Sequence, residues 1–278
     1  MTTKRKEKNQ KEKSDEENLP KWITDHFTDS LNSLELLMQI TSISAKGIAV
    51  LRGMPKVLNV LAKVQGIAQS PSSILQRDRV QKDADLAMAE VEKDFPVLHG
   101  LAVVALWSWM EHFVKDFIAL WLRHRRDALN AIPVQKLKVK LGDYLMLSKI
   151  EQAKFLVELL EHELASSQKG GVTRFEALLQ PFGLSFSLQP SHSKAIFELQ
   201  QIRNVVAHRN SRVDRRLRTE CPWLNLKINQ QVLVSSQMLK IYADACGEFL
   251  LAFLYRVGDV YGLDLRKSDT DKNNSEVE

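Results

Sequence analysis

Cysteine is scarce in this chain of 278 residues; Cys221 and Cys246 are the only two. Two isolated thiols make no disulfide framework, and without a C-x-x-C pair there is no zinc knuckle. Cys246 has apolar neighbours and reads as buried packing rather than as a nucleophile. The N-terminus is too charged for a signal peptide, so a reducing cytoplasm is the expected setting. Long apolar runs are also missing. The two most apolar stretches, Leu101–Met110 and Phe249–Tyr255, are short and flanked by charge, and no membrane partner is expected from them. There is no H-E-x-x-H, no G-x-S-x-G and no glycine-rich phosphate loop, which removes zincins, nucleophile-elbow hydrolases and P-loop enzymes. Glu111-His112 and Glu161-His162 have no third ligand at helical spacing and read as ordinary surface helix residues. No metal and no cofactor are expected. There is no internal repeat and no alternation of strand with helix.

What is present is helical. Hydrophobic residues make up 44% and charged residues 26%, ordinary for a soluble chain with a real core. The formal charge is +5 and the isoelectric point about 9.1, a balance that permits an anionic partner without demanding one. The spacing predicts an all-α protein in four parts. Residues 1–18 read as a disordered charged tail, 19–95 as a helical N-terminal region, 96–262 as a helical bundle and 263–278 as a second disordered tail. In the N-terminal region two or three helices are expected, broken at Gly47, Gly53 and Pro55. A turn follows at Gln69–Ser73, with Ser72 or Ser73 as the next N-cap.

The clearest helix carries Val103, Trp107, Met110, Val114, Phe117 and Trp121 as one apolar stripe, with Ser108, His112, Lys115 and Asp116 opposite. Residues 134–141 alternate apolar side chains with lysines and read as a short extended piece. Ser148 caps a helix running to about Ala165. A loop at Gln168–Gly171 precedes a short helix over Thr173–Gln180 that Pro181 and Gly183 end. Ser191 begins the penultimate long helix. The last one carries Val234, Met238, Ile241, Ala245, Phe249 and Ala252 on one face, with Gly258 and Gly262 at its end.

The chemistry concentrates in Gln201-Ile202-Arg203-Asn204-Val205-Val206-Ala207-His208-Arg209-Asn210, where the penultimate helix ends. Ala195, Leu199, Ile202 and Val206 form its apolar stripe. At about 100° per residue, Asn204 and His208 share the roughly opposite face, with Arg203 on the flank. From Arg203 to Arg218 the segment holds six arginines against one acid, Asp214. Guanidinium groups give bidentate, charged hydrogen bonds to phosphate oxygens, so the cluster suits phosphate. Two interpretations stay open on composition: a solvated arginine-rich loop with an incidental histidine, or a site for metal-free RNA cleavage. The second needs a group to take the ribose 2′-OH proton, cations for the phosphorane charge and an acid for the leaving oxygen. Histidine has the pKa to serve as base or acid near neutrality.

Arg203-Asn204-Val205-Val206-Ala207-His208 resembles the R-x4–6-H motif of the HEPN superfamily, including the polar residue after the arginine. The surroundings are similar too: a long apolar helix with Trp109-Met110-Glu111-His112-Phe113, a short Arg174-Phe175-Glu176-Ala177-Leu178-Leu179 helix, then the motif helix, a basic segment and a final helix. The resemblance spans roughly 96–262. It implies a bundle of four or five helices and a homodimer joining two motifs in one cleft. It also implies metal-independent endoribonuclease activity leaving 2′,3′-cyclic phosphate ends. His208 is then the general base or acid, Arg203 holds the scissile phosphate, and Asn204 orients His208 or contacts RNA. Arg209, Arg212 and Arg215 are assigned to RNA-backbone binding. Many members are toxins or antiviral effectors and some are inactive scaffolds. The expected partners are therefore RNA, a second copy of the chain, and an antitoxin or other regulatory protein. The alternative function is a non-catalytic RNA-binding or protein-interaction module.

Overall fold

The computed structural model describes residues 18–65, 71–164 and 170–266. Most of the two expected tails and part of the loop expected at Gln168–Gly171 lie outside those residues. Among the described residues every regular element is helical, and extended chain pairs in a single antiparallel bridge between Arg212 and Gln231. The protein is all-α. Its helices are α1 (Lys21–Leu51), α2 (Met54–Gln65), α3 (Pro71–Glu92), α4 (Pro96–His124), α5 (Ile132–Gln135), α6 (Leu141–Met146), α7 (Lys149–Leu164), α8 (Val172–Leu179), α9 (Pro190–His208), α10 (Arg215–Glu220) and α11 (Ser236–Val260).

Several local expectations are corrected. Helix α1 runs through Gly47, whose missing side chain costs it one position of packing but no hydrogen bond. The break falls at Arg52–Gly53, and Pro55 sits in the first turn of α2, where its absent N–H is not needed. Helix α3 begins at Pro71, ahead of the serines expected to cap it. The stretch expected to be extended falls on two short helices, α5 and α6, leaving only 136–140 outside them. The apolar face of α11 is rotated from the one expected. Ile241 is exposed, and the buried line runs through Leu239, Tyr242, Cys246, Phe249, Phe253 and Val257. Helices α1 and α4, 31 and 29 residues long, are both long and apolar enough to cross a membrane.

By their contacts the residues fall into two units that interleave along the chain. One comprises the described residues within Met1–Ser33, Ser108–Phe197 and Asp244–Glu278; the other comprises those within Leu34–Trp107 and Glu198–Ala243.

The first unit is organised by aromatic rings. Phe117 of α4 is fully buried, with the rings of Trp22, Phe27, Trp121 and Phe253 around it; Phe253 stands edge-on at 4.7 Å. Such pairs add roughly 0.5–1.5 kcal/mol each beyond the area they bury. Half-buried His26 stacks on Phe113 with Nε2 3.0 Å from that residue's carbonyl oxygen, and its partial burial lowers its pKa. The polar face of α4 is tied down by ions. Arg174 of α8 donates to Glu111 at 2.7 Å and to Glu161, Lys115 reaches Glu161 at 2.7 Å, and Lys154 reaches Asp116 at 2.9 Å. Ser148 and Glu151 form the capping box of α7: the Glu151 N–H donates to Ser148 Oγ and the Ser148 N–H to Glu151 Oε2.

In the second unit the turn between α3 and α4 places Asp94 and Phe95 at positive φ. Glu90 reaches forward to accept from the Val97 and Leu98 N–H groups, which caps α4. Asp94 accepts from the Ser236 N–H at 2.6 Å at the start of α11. His99 is buried with Nδ1 3.1 Å from the Val234 carbonyl oxygen. Gly100 brings α4 against α9, where a Cβ on it would meet Val206 at an ordinary 3.5 Å.

Candidate functional site

The site is built on the last two turns of α9 and the chain that leaves it, all within the second unit. Ile196, Leu199, Ile202 and Val205 are buried, so the core-facing stripe passes through Val205, while Val206 is half-buried. That rotation decides how the three motif residues are presented. Arg203 and Asn204 are half-buried on the flanks of the stripe, and His208 is exposed. Arg203 Nη1 donates to Asn204 Oδ1 at 3.1 Å. Arg203 Nε is buried with no hydrogen-bond partner, and so is the side-chain Nε2 of Gln201, a residue only 2% exposed. A buried donor left unmade costs on the order of 1–3 kcal/mol, so two of them within three residues mark this end of α9 as polar ground held in place by its surroundings.

Helix α9 stops at His208 because the next turn goes left-handed. Asn210 and Ser211 have φ of 50° and 57°, and the N–H groups of Arg209 and Ser211 both close onto the Val205 carbonyl. The chain then clips to the segment after α10. The N–H groups of Val213, Asn229 and Val232 donate to the carbonyls of Gln230, Val213 and Ser211 at 2.7–2.9 Å. Asp214 caps α10, its Oδ1 accepting from the Leu217 N–H at 2.8 Å. Its other oxygen stands 3.9 Å from Arg209 Nε. Arg212 Nη1 donates to the Asn229 carbonyl at 3.1 Å.

This folding makes an open cleft of about 530 Å³ lined by Arg209, Arg212, Val213, Asp214, Arg215, Arg216, Ile228 and Asn229. Four guanidinium groups face it against one carboxylate, and that carboxylate is already spent on a helix cap. Such a concavity attracts anions, and planar guanidinium forks fit phosphate oxygens two at a time. The three arginines assigned to RNA binding, Arg209, Arg212 and Arg215, are thus gathered on one cleft. His208 immediately precedes its rim and is not among its lining residues.

Arg216 lines the cleft and was not singled out from the sequence; the Arg215-Arg216 doublet was the available signal. Gln201 was also passed over. A glutamine on an apolar helical face is the kind of residue that periodicity alone could have flagged.

Elsewhere several chemistry-bearing side chains have structural employment. Glu111 and Glu161 hold Arg174, and His112 Nδ1 lies 2.7 Å from the Ser108 carbonyl one turn back. Both cysteines are buried and neither forms a disulfide, and burial pushes the Cys246 thiol far up. Glu198 accepts from Tyr242 Oη at 2.6 Å and from the Trp223 indole, which fixes the half-turn after α10 against α9. Among the described residues no three His, Cys, Asp or Glu side chains are grouped so as to hold a metal ion. No family model, no curated protein and no solved structure matches this chain.

Proposed function

We propose that this chain is a metal-independent endoribonuclease of the HEPN type, acting on RNA as a homodimer in the cytoplasm. One observation carries the proposal: the hydrogen-bonded Arg203–Asn204 pair and His208 end a helix whose exit runs directly into a cleft faced by four arginines.

The arginines of the cleft take the phosphates on either side of the scissile bond, and Arg203, half-buried beside Asn204, adds positive charge near where the phosphorane forms. A base removes the 2′-OH proton, the 2′-oxygen attacks phosphorus, and the P–O5′ bond breaks as an acid protonates the departing oxygen. The products are a 2′,3′-cyclic phosphate and a 5′-hydroxyl. One histidine cannot give and take a proton in the same step, and each chain offers one His208. A second copy supplying the other imidazole resolves this, which is the reason for proposing a shared cleft. Unpaired loops, with their splayed bases and flexible 2′-OH groups, are the RNA such a site can reach. A toxin or antiviral effector restrained by a partner protein is the corresponding biological role.

The full chain is expected to cut RNA in the presence of EDTA, and His208→Ala to lower the rate by about 10²–10⁴-fold with helicity and dimerisation unchanged. Equal cutting by the variant sinks the assignment. The second reading, a non-catalytic RNA-binding module, draws support from the position of His208 outside the cleft lining. It predicts salt-sensitive RNA binding through the arginines with no cleavage by the parent chain.

A further inference from the structure

Helix α1 is apolar on two opposite faces, and only one of them is covered. Leu34 and Thr41 lie on the buried side. Leu36, Ile40, Ile43 and Val50 fall within about 80° of one another on the reverse side at 100° per residue. All four are exposed, Val50 by 67%. Helix α2 repeats the pattern. Met54, Leu58 and Ala62 are partly covered on the side it turns inward, whereas Val57, Val60, Leu61 and Val64 recur at i, i+3, i+4 and i+7 in the open, Val64 by 78%. Lys56, Asn59 and Lys63 make up its polar edge. Water-facing helices carry single stray apolar residues; two consecutive helices with complete bare stripes mark a surface that something covers.

Charge says what kind of surface that is. Between Glu35 and Asp78 the sequence holds no carboxylate, while it carries Lys46, Arg52, Lys56, Lys63 and Arg77. A second copy of the chain would set this basic face against an identical basic face. An anionic bilayer offers the two things it lacks: hydrocarbon for the valine and isoleucine stripes, and negative headgroups for the lysines beside them. Helix α2 has 12 residues, about 18 Å of helix, too short for a hydrocarbon core of about 30 Å. It therefore lies in the interface plane with Lys56 and Lys63 reaching up to the headgroups. The expectation of no membrane partner concerned spanning segments and does not bear on a helix lying flat.

We infer that the exposed stripes of α1 and α2 form a membrane-surface site that binds anionic lipid bilayers. The inference stands independently of the ribonuclease reading. The test is co-sedimentation of the full chain with vesicles of phosphatidylcholine alone or of phosphatidylcholine with phosphatidylserine. The parent chain is expected to partition onto the anionic vesicles and far less onto the neutral ones. The double substitution Val60→Asp, Val64→Asp is expected to lower that partition at least about tenfold. Lys56→Glu with Lys63→Glu is expected to do the same on anionic vesicles alone. Both pairs are exposed, and circular dichroism checks that helicity is kept. Three results overturn the inference: no sedimentation of the parent chain with either vesicle, equal sedimentation of the valine variant and the parent, or a parent dimer that the valine variant dissociates without any vesicle binding.

Discussion

Helices α1 and α4 look alike as sequences and differ in fate. Each is long and apolar enough to cross a membrane, yet half of the most apolar stretch of α4 is buried inside the protein against 11% for α1. The difference lies in their second faces. Opposite its buried stripe, α4 carries Glu111, Lys115 and Asp116, which are engaged by Arg174, Glu161 and Lys154. Opposite its own, α1 carries Leu36, Ile40 and Ile43, all exposed. A helix with one apolar face is satisfied by a core. A helix with two needs a partner on each side.

The sharpest way to separate the two is to truncate a buried ring. Phe117→Ala is expected to cost about 3–5 kcal/mol in chemical denaturation, because it empties the centre of an aromatic cluster that cannot close up around the gap. A loss under about 1 kcal/mol would mean that the α4 core is as loosely held as the bare face of α1. The ion-paired face of α4 comes next. Arg174→Ala leaves Glu111 and Glu161 without their shared donor and is expected to cost about 1–3 kcal/mol.

The same face predicts a pH dependence. Burial works to raise the Glu161 carboxyl, but hydrogen bonds from Lys115 and Arg174 outweigh it and hold the group below its ordinary value. A depressed folded-state pKa stabilises the protein fully above the unfolded value, about 4.3, and that contribution is lost as pH falls through the folded value. Stability measured from pH 6 downward should fall more steeply in the parent than in Glu161→Gln. The smallest effect belongs to α1. Ile40→Ser is expected to change stability in water by no more than about 0.5 kcal/mol, since its side chain has nothing to leave. A loss of several kcal/mol there would mean that the face is already covered by another chain in solution.

Much of the local structure was legible. The α4 stripe from Val103 to Trp121 is buried throughout, the Ser148 cap forms as expected, and the break at Pro181 and Gly183 falls where proline and glycine chemistry puts it. The arginine cluster was visible as composition, and its members do gather on one cleft. Two of the errors share a cause. On α11, Ile241 and Tyr242 are adjacent and both can be buried; Tyr242 is the one inside because its hydroxyl finds Glu198, a residue 44 positions away. On α9, Val205 rather than Val206 completes the buried stripe, which turns Arg203 and Asn204 from free surface residues into half-buried ones. A rotation of a few tens of degrees about a helix axis is invisible to spacing and is set by what packs against the helix.

By itself, the sequence determined that this protein is helical and where its charges cluster, because period, capping and breaking act between residues a few positions apart. Only the tertiary structure decided which of two apolar faces each helix covers, how deeply the Arg203–Asn204 pair sits, and which arginines share a cleft. Those outcomes depend on side chains that meet across long stretches of chain, where burial and unmet hydrogen bonds set the energies.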